Sequence, residues 1–289
     1  MSKKILSDGK TTEYSYDSKG YLVSVKDSSG TMSFVYDSVG NLTKQTNANG
    51  EVIEYSYDKL GNVTLIKTPN TSTKYEYDIL GRLSKVTDKN NLVTKYTYDS
   101  VGNLIKEEKG NGSYTTYEYD NLYRLKKLTN KKSSGEIISS YKWSSKTCFG
   151  KLNLSSEQMR AGFPLNFKKV TNGEEERYLV DEYTSYSRVL EEKNKNNNLT
   201  ATYTYGHELI SQNRATSVSF YNRDGLGSTT SLTNVNQTVT DTYSYDAFGN
   251  LINSTGTTKN NYLFAGEEKD NTTGYYYLRA RYSLLSKFH

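Results

Sequence analysis

The chain has 289 residues, a formal net charge of +5 and 34% hydrophobic residues, and its mean hydropathy is -0.79. Such polarity often marks disorder, but 28 tyrosines argue against that class, because each supplies a ring that can build a core. Charges of both signs are interspersed without a basic stripe for nucleic acid, no apolar run could span a membrane, and the N-terminal MSKKILSDGK lacks a signal-peptide core.

A tyrosine-aspartate pattern, Y-x-Y-D-x-x-G-x-L, recurs through residues 1–125. Its aspartates stand at positions 17, 37, 58, 78, 99 and 120, and a late copy ends its tyrosine pair at Asp246. In the sixth copy Tyr123 replaces the glycine. The repeat positions that we predict to be structural are Tyr14, Tyr16, Asp17, Gly20, Tyr36, Asp37, Gly40, Tyr57, Asp58, Gly61, Tyr77, Asp78, Gly81, Tyr98, Asp99, Gly102, Tyr119, Asp120, Tyr245, Asp246 and Gly249.

Each repeat position suits a β-hairpin. The two tyrosines are two residues apart, so both rings share one face of a strand. Asp at the first corner and Gly at the fourth suit a type I turn, and the Asp side chain can accept a hydrogen bond from the N–H two residues on. An aliphatic residue five positions after Asp then begins the return strand.

A second set of turns follows about ten residues after each aspartate, at Ser29-Gly30, Asn49-Gly50, Asn90-Asn91 and Asn111-Gly112. Asn-Gly between alternating segments is a strong hairpin signal. A lone hairpin is marginal in water, but stacked hairpins cover one another's edges. The sequence therefore predicts an all-β fold of stacked antiparallel hairpins with a tyrosine-rich face and few helical residues.

Residues 126–182 lose the repeat and are predicted to form an irregular insertion or degenerate repeats. A loop at 131–135 precedes a strand at 137–143, which ends in the single tryptophan, Trp143. Ser156–Met159 is the one candidate for a short helix. Cys148, the single cysteine, is interpreted as a small buried apolar residue and not as a nucleophile.

Regularity returns in residues 183–289. Tyr203-Thr-Tyr205-Gly206 is a repeat with Gly in place of Asp, and the preceding polar run Glu191–Asn198 is predicted to be an exposed hairpin loop. Four further motifs follow: Y-N-R-D-G-L-G-S, Y-S-Y-D-A-F-G, F-A-G and G-Y-Y-Y-L-R-A-R-Y. Their candidate residues outside the repeat are Asp224, Leu226, Gly227, Ser228, Gly266, Gly274, Tyr276, Tyr277, Leu278, Arg279, Arg281 and Tyr282.

Together these features resemble the rearrangement-hotspot (Rhs) family. The early copies resemble its YD repeats, and the motifs of 203–282 resemble, in order, its repeat-associated core, with Tyr275 where Leu is usual. The resemblance implies a curved, spiralling sheet that forms part of a hollow β-shell. Such shells enclose a C-terminal toxin domain, and related repeats occur in wall-associated proteins, insecticidal toxin complexes and adhesive ectodomains.

The family core continues with a D-P-x-x-G-R-F segment and an aspartate-dependent cleavage site, whereas here Tyr282 is followed by S-L-L-S-K-F-H. We therefore expect a truncated core without cleavage aspartates or toxin, in an open fragment of a shell. The predicted role is a non-enzymatic segment of a toxin-carrying or wall-associated shell in bacterial competition. The alternative is an adhesion module that binds glycans or a cell surface.

The resemblance implies a toxin domain or other shell segments as partners and a secreted or cell-surface parent, and cell-wall glycans are the alternative partner. No nucleic acid, membrane span, metal or cofactor is predicted. One aspartate per repeat does not supply the six to eight oxygens that Ca²⁺ takes. The G-L-G-S-T segment lacks the spacing of a phosphate loop, and His207 is interpreted as a surface turn residue.

Overall fold

A computed structural model describes residues 2–5, 11–142, 167–171, 174–183, 187–270, 274, 276–277 and 282–283. Most of these residues lie in short strands separated by tight turns. The first fourteen strands are β1 (Ser2–Ile5), β2 (Thr11–Tyr16), β3 (Leu22–Asp27), β4 (Gly30–Tyr36), β5 (Leu42–Thr46), β6 (Val52–Tyr57), β7 (Val63–Lys67), β8 (Ser72–Tyr77), β9 (Leu83–Thr87), β10 (Val93–Tyr98), β11 (Leu104–Glu108), β12 (Tyr114–Tyr119), β13 (Leu125–Lys131) and β14 (Ile137–Lys142).

The remaining strands follow the same meander. They are β15 (Phe167–Thr171), β16 (Glu174–Asp181), β17 (Arg188–Asn194), β18 (Leu199–Tyr205), β19 (Leu209–Arg214), β20 (Ser217–Arg223), β21 (Thr229–Thr233), β22 (Val239–Tyr245), β23 (Leu251–Thr255), β24 (Glu268–Lys269), β25 (Tyr276–Tyr277) and β26 (Tyr282–Ser283). A 3₁₀ turn at Phe264–Gly266 is the one helical segment among the described residues.

Strand order in each sheet equals chain order. The sheets contain β1–β14, β15–β23 and β24–β26, and the pairs with a described register are antiparallel. The predicted all-β class of stacked antiparallel hairpins is therefore confirmed.

A three-residue loop built on a type I turn closes each aspartate hairpin. In the first copy the Asp17 N–H donates to the Tyr21 carbonyl at 2.9 Å, and the Gly20 N–H donates to the Asp17 carbonyl at 3.1 Å. Gly20 has a φ of 88°, and the ladder register shifts beside Tyr16. This geometry is a type I turn followed by a left-handed residue in a β-bulge.

Most of the second turns use the same loop. Asn47 takes the place of the aspartate and Gly50 the left-handed position, with hydrogen bonds of 2.9 Å from Asn47 N–H to the Glu51 carbonyl and from Gly50 N–H to the Asn47 carbonyl. Asn49-Gly50 thus occupies the last two positions of a three-residue loop. The Ser29-Gly30 turn is shorter, because Asp27 and Gly30 pair directly.

Alternation along the outgoing strands places one face in the core. In β6, Ile53 and Tyr55 are buried while Glu54 and Ser56 are exposed. The predicted tyrosine-rich face is present, but burial decreases along it, since Tyr55 is buried and Tyr57 is only half-buried.

The chain forms two compact units. One comprises Met1–Glu76 with Ala161–Tyr203, and the other comprises Tyr77–Arg160 with Thr204–His289. The division into 1–125, 126–182 and 183–289 remains a prediction. Within 126–182, the predicted strand at 137–143 corresponds to β14, which ends at Lys142.

Several predictions fall outside the described residues, namely those for Trp143, Cys148, Ser156–Met159, Leu278, Arg279 and Arg281. For Tyr277 and Tyr282 the backbone alone is described. The described part of the chain contains no helix long and apolar enough to cross a membrane.

Tyr123→Gly is expected to stabilise the protein. Tyr123 takes the left-handed position of its turn with a φ of 58°, which costs an L-residue about 1–2 kcal/mol, partly offset by the greater freedom of glycine in the unfolded chain. A gain of about 1 kcal/mol should appear in the urea midpoint.

The matched control is Gly102→Ala at the same turn position, where φ is 98° and nothing lies within 4 Å of a built Cβ. Alanine differs from glycine at this position only in backbone strain, so the free energy of unfolding is expected to fall by about 1 kcal/mol. Equal midpoints for Tyr123→Gly and the wild type would contradict the strain argument.

Candidate functional site

The repeat aspartates cap their turns with both carboxylate oxygens. In the third copy, Oδ1 of Asp58 accepts the N–H groups of Leu60 at 2.8 Å and Asn62 at 2.9 Å, and Oδ2 accepts Nδ2 of Asn62 at 2.9 Å. The first bond is the one predicted from the sequence. The other two involve the residue after the turn glycine, whose recurrence as Asn or Arg was the sequence signal for them. Those residues are Asn41, Asn62, Arg82, Asn103, Arg124 and Asn250.

These hydrogen bonds hold the pKa of the Asp58 carboxyl below its ordinary value of 3.8, the side-chain amide of Asn62 contributing most. The carboxylate form is therefore the one that the folded turn favours. Asp99 and Asp246 show the same shift, led by Asn103 and Asn250.

Asp58→Asn is expected to flatten the acid dependence of stability. Since the folded pKa is lowered, the ionised side chain stabilises the fold above the unfolded value of 3.8, and this contribution is lost as the pH falls through the folded pKa. Asparagine retains a neutral cap, as Asn47 does.

The measurement is the urea midpoint of wild type and Asp58→Asn at about pH 6 and about pH 2.5. The advantage of the wild type should shrink at the lower pH. A gap of the same size at both pH values would show that the Asp58 charge adds nothing.

The second tyrosine of a repeat bonds to the preceding hairpin. The hydroxyl of Tyr57 donates to the Leu42 carbonyl at 2.6 Å, beyond the point where the β5–β6 ladder ends at Lys44 and Glu54. A carbonyl left there would lack a ladder partner. We call this contact the tyrosine latch; its other described examples are Tyr36 to Leu22, Tyr98 to Leu83, Tyr119 to Leu104 and Tyr245 to Thr229, at 2.7–2.9 Å.

Tyr57→Phe is expected to lower the free energy of unfolding by about 1–3 kcal/mol, because the ring remains but the carbonyl loses its donor. Tyr16→Phe is the matched control, since Tyr16 holds the same repeat position and is exposed. Urea unfolding of both variants measures the difference. Equal effects would remove the latch as a source of stability.

The first tyrosines of the third and fifth repeats, Tyr55 and Tyr96, are buried and bond to acidic side chains. The Tyr55 hydroxyl donates to Oδ1 of Asp181 at 2.8 Å, and burial, with the Asp181 charge, raises the pKa of Tyr55 far above its ordinary value. These tyrosines therefore remain protonated donors, and the structure shows no role for them as bases.

The prediction of an exposed loop over Glu191–Asn198 is wrong for its first three residues. Glu191, Glu192 and Lys193 belong to β17 and are buried, and only Asn194–Asn198 forms the turn. Glu191 accepts hydrogen bonds from the Thr68 hydroxyl, from the Asn70 N–H at 3.2 Å and from Asn70 Nδ2 at 2.7 Å. Burial is possible because the polar atoms find partners.

Lys193 completes this cluster. Its ammonium pairs with Glu51 and lies 3.4 Å from Glu191. We call Glu51, Thr68, Asn70, Glu191 and Lys193 the buried ion cluster. It joins two turns of the first sheet to β17 within one compact unit.

The second unit has its own polar core. Lys109 is buried and donates from Nζ to Oδ1 of Asn222 at 2.9 Å and to the Thr115 hydroxyl at 3.3 Å. Burial lowers the pKa of Lys109 to about 8, while the nearby Glu107 carboxylate acts in the opposite direction. Arg223 pairs with Glu208 at 2.6 Å.

His207 is exposed in a turn, as the sequence analysis predicts. Its Nε2 lies 2.7 Å from the Tyr98 hydroxyl, and its ring meets that of Tyr96 edge-on at 4.8 Å. Both of these contacts are with tyrosine side chains.

The later motifs contact one another in pairs: the Y-N-R-D-G-L-G-S segment contacts the F-A-G segment, and the Y-S-Y-D-A-F-G segment contacts the last motif. Asp224 caps a turn through the N–H groups of Leu226 and Ser228, both at 2.9 Å, and Gly227 holds the left-handed position. The Ser228 hydroxyl accepts the Ala265 N–H at 3.1 Å, beside Gly266. Separately, the Tyr276 hydroxyl donates to the Gly249 carbonyl at 3.3 Å, and the Gly274 N–H donates to the Asp270 carbonyl at 2.7 Å.

The described residues contain no group of three His, Cys, Asp or Glu side chains that could hold a metal ion. The acidic groups identified above are engaged in turn caps, in hydrogen bonds from tyrosine hydroxyls or in ion pairs.

The Rhs repeat family model matches residues 36–73, 77–113 and 98–134. These ranges contain the caps and latches described above. This part of the chain consists of Rhs repeats. Its repeats form a structural segment of the Rhs type, and the resemblance noted in the sequence is confirmed for the repeats.

Curated relatives share a stretch of this chain. The tRNA3(Ser)-specific nuclease WapA of Bacillus spizizenii is 32% identical over 120 residues, which is 40% of this chain and 5% of that protein. The tRNA nuclease WapA of Bacillus subtilis is 31% identical over 120 residues, with the same coverage. The matched stretch is thus about one twentieth of each relative.

Among solved structures, the crystal structure of TcdB2-TccC3 without its hypervariable C-terminal region covers 96% of this Rhs-repeat chain. The match spans 19% of that chain at 15% identity, with a TM-score of 0.44. The Photorhabdus luminescens Tc holotoxin pore gives a TM-score of 0.41. These scores are too low to establish a shared architecture, and the curved, spiralling shell remains a prediction.

Proposed function

We propose that this chain is a wall segment of the β-shell of an Rhs-type protein that carries a toxin or associates with the cell wall. The tyrosine latch is the observation that supports this function. The recurring pattern within the repeats places one hydroxyl on the carbonyl of the preceding hairpin, and an aspartate caps the turn that follows the tyrosine pair. The recurring tyrosine and aspartate therefore join and cap successive hairpins, as the extension of a shell wall requires.

The proposed segment has no nuclease activity of its own. The relatives are named as tRNA nucleases, but the matched stretch is 5% of their length. The described acidic groups around Tyr55 and Glu191 are buried and hydrogen-bonded, which leaves them poorly placed to activate water on a polyanion. We likewise propose that self-cleavage and toxicity are not properties of these 289 residues.

Incubation of the purified chain with total tRNA, with and without Mg²⁺, tests this proposal. The tRNA should stay intact on a denaturing gel, while an added ribonuclease degrades it. Cleavage that follows the chain through size-exclusion chromatography, and is absent from a mock purification, would make the segment an enzyme.

The proposed partners are a toxin domain or further shell segments of the same protein, and the proposed location is outside the cell or on its surface. Latches supply a chemical basis for association with further shell segments, since each hairpin offers a main-chain carbonyl to the next hairpin. Nucleic acid is not a proposed partner.

The alternative function is adhesion to glycans through tyrosine rings. Burial of Tyr55, Tyr75 and Tyr96 disfavours it, because a ring must be exposed to stack on a sugar. Tyr16 and Tyr123 are the exposed repeat tyrosines that could serve. Sedimentation with purified cell walls tests adhesion: binding that Tyr16→Ala and Tyr123→Ala abolish would favour it over the wall-segment proposal.

A further inference from the structure

The polar core of the second unit contains a lysine and an asparagine in an arrangement suited to covalent bonding. Lys109 is 4% exposed and Asn222 is 1% exposed. Lys109 leads into the turn between β11 and β12, and Asn222 lies in β20, so the pair joins the first sheet to the second within one unit.

The reacting atoms are close. Lys109 Nζ lies 2.9 Å from Asn222 Oδ1, and a carbonyl bond is about 1.2 Å long, so Nζ is at most about 4.1 Å from Cγ. Near-attack arrangements place reacting atoms about 3–3.5 Å apart, which a small torsion of the lysine reaches. The Thr115 hydroxyl, 3.3 Å from Nζ, holds the side chain in this position.

The surroundings make the neutral amine, which is the nucleophilic form of lysine, more accessible than it is in an exposed lysine. Burial lowers the pKa of Lys109 to about 8, and the Arg223 charge acts in the same direction. About one tenth of the Lys109 side chains are then unprotonated at pH 7, far more than for an ordinary lysine. The site also excludes water, which protects the amide from competing hydrolysis.

Asn222 is held for attack. Its Nδ2 donates to the hydroxyls of Ser231 at 3.3 Å and Thr233 at 3.4 Å, which fixes the amide plane and marks the side on which the leaving group departs. Glu107 lies two residues before Lys109, so both side chains point to one face. Thr115, which contacts Lys109, pairs with Glu107 across the β11–β12 ladder.

From this geometry we propose that Lys109 and Asn222 form an intramolecular isopeptide bond. Nζ of the neutral Lys109 amine attacks Cγ of Asn222, the Nζ–Cγ bond forms, and the Cγ–Nδ2 bond breaks. One proton moves from Nζ to the departing nitrogen, which leaves as ammonia. We assign the transfer of that proton to Glu107, the carboxylate whose charge acts on Lys109. No oxidation or reduction occurs, and no co-reactant is needed.

A covalent bond at this point would close a loop of more than one hundred residues and tie the two sheets of the unit together. It is a modification of the wall itself, so it does not depend on whether that wall carries a toxin.

The test is the intact mass of the full chain, purified from the soluble fraction and measured in denaturant. The mass should be lower than the sequence mass by one ammonia molecule. Tryptic digestion should give one branched peptide that contains Lys109 and Asn222, with no cleavage after Lys109. A chain with the full sequence mass would overturn the proposal.

Ammonia is also lost when Asn-Gly sequences cyclise, and this chain has them at Asn49-Gly50, Asn111-Gly112 and Asn172-Gly173. Lys109→Arg and Asn222→Ala separate the two reactions, since each should restore the full mass. The matched control is Lys106→Arg, at a partly exposed lysine that pairs with Glu108. This variant should still show the mass lower by one ammonia. A loss that persists in Lys109→Arg would overturn the isopeptide bond.

Glu107→Gln tests the proton carrier. A larger unlinked fraction is expected, visible as two masses in one sample. A linked fraction equal to the wild type would overturn the role of Glu107. The branched peptide of the wild type is sought independently of how any variant folds.

Discussion

Glu191→Ala is expected to lower the free energy of unfolding by about 3–5 kcal/mol, because it leaves the Lys193 ammonium buried with one carboxylate fewer. Glu191 is 0% exposed. It accepts two hydrogen bonds from Asn70, one from Thr68, and lies 3.4 Å from Lys193. Its removal takes a carboxylate from the Lys193 ammonium and also takes the acceptor from the Thr68 and Asn70 donors.

Urea unfolding at neutral pH measures the effect, with the slope of the transition checked against the wild type. The matched control is Lys67→Ala. Its pair with Glu54 spans 3.2 Å but both side chains are about half exposed, so the expected loss is below about 1 kcal/mol.

A third variant separates charge from packing. Glu191→Leu combined with Lys193→Met and Glu51→Gln removes all three charges of the cluster and should recover part of the loss, since no charge remains unpaired. If Glu191→Ala and Lys67→Ala cost the same, the buried ion cluster does not stabilise the unit.

Hairpin positions could be predicted from the sequence because their causes are local. Asp17, Gly20 and the alternation of Tyr14 with Tyr16 specify a turn and a strand face within nine residues. The period of 20 or 21 residues repeats this local information, so errors do not accumulate along the chain.

The buried ion cluster could not be predicted in this way. The run E-E-K-N-K-N-N-N has the composition of a solvated loop, and the partners of Glu191 lie about 120 residues earlier. Burial of a charge depends on such distant donors, and no pattern in the sequence around Glu191 predicts its contact with Asn70.

The tyrosine latches were missed for a different reason. Their acceptors are main-chain carbonyls, which every residue has, so Leu42 and Leu83 carry no sequence mark of the bond. The recurring Asn or Arg after the turn glycine was visible, in contrast, and Asn62 could have been assigned to the Asp58 carboxylate from its spacing alone.

Leu42→Ala is expected to lower the free energy of unfolding by about 2–5 kcal/mol, through lost burial and the cavity that remains. Leu42 is the aliphatic residue that opens the return strand and is 0% exposed. Its carbonyl also accepts the Tyr57 latch, but that bond uses the main chain and survives the substitution. The cost therefore isolates the packing of the side chain.

Leu60→Ala is the matched control, because Leu60 lies at the tip of the next aspartate turn and is 81% exposed. Its substitution should change the urea midpoint little, since surface changes usually stay within about 0.5 kcal/mol.

The combination of Leu42→Ala with Tyr57→Phe tests whether side-chain packing and the tyrosine latch act together to hold neighbouring hairpins. The two losses involve one residue's side chain and its carbonyl. A combined loss smaller than the sum of the two separate losses would show that packing and latch support each other, because either substitution then already removes part of the other contribution. A strictly additive result would mean that each hairpin is held to its neighbour by two independent contacts.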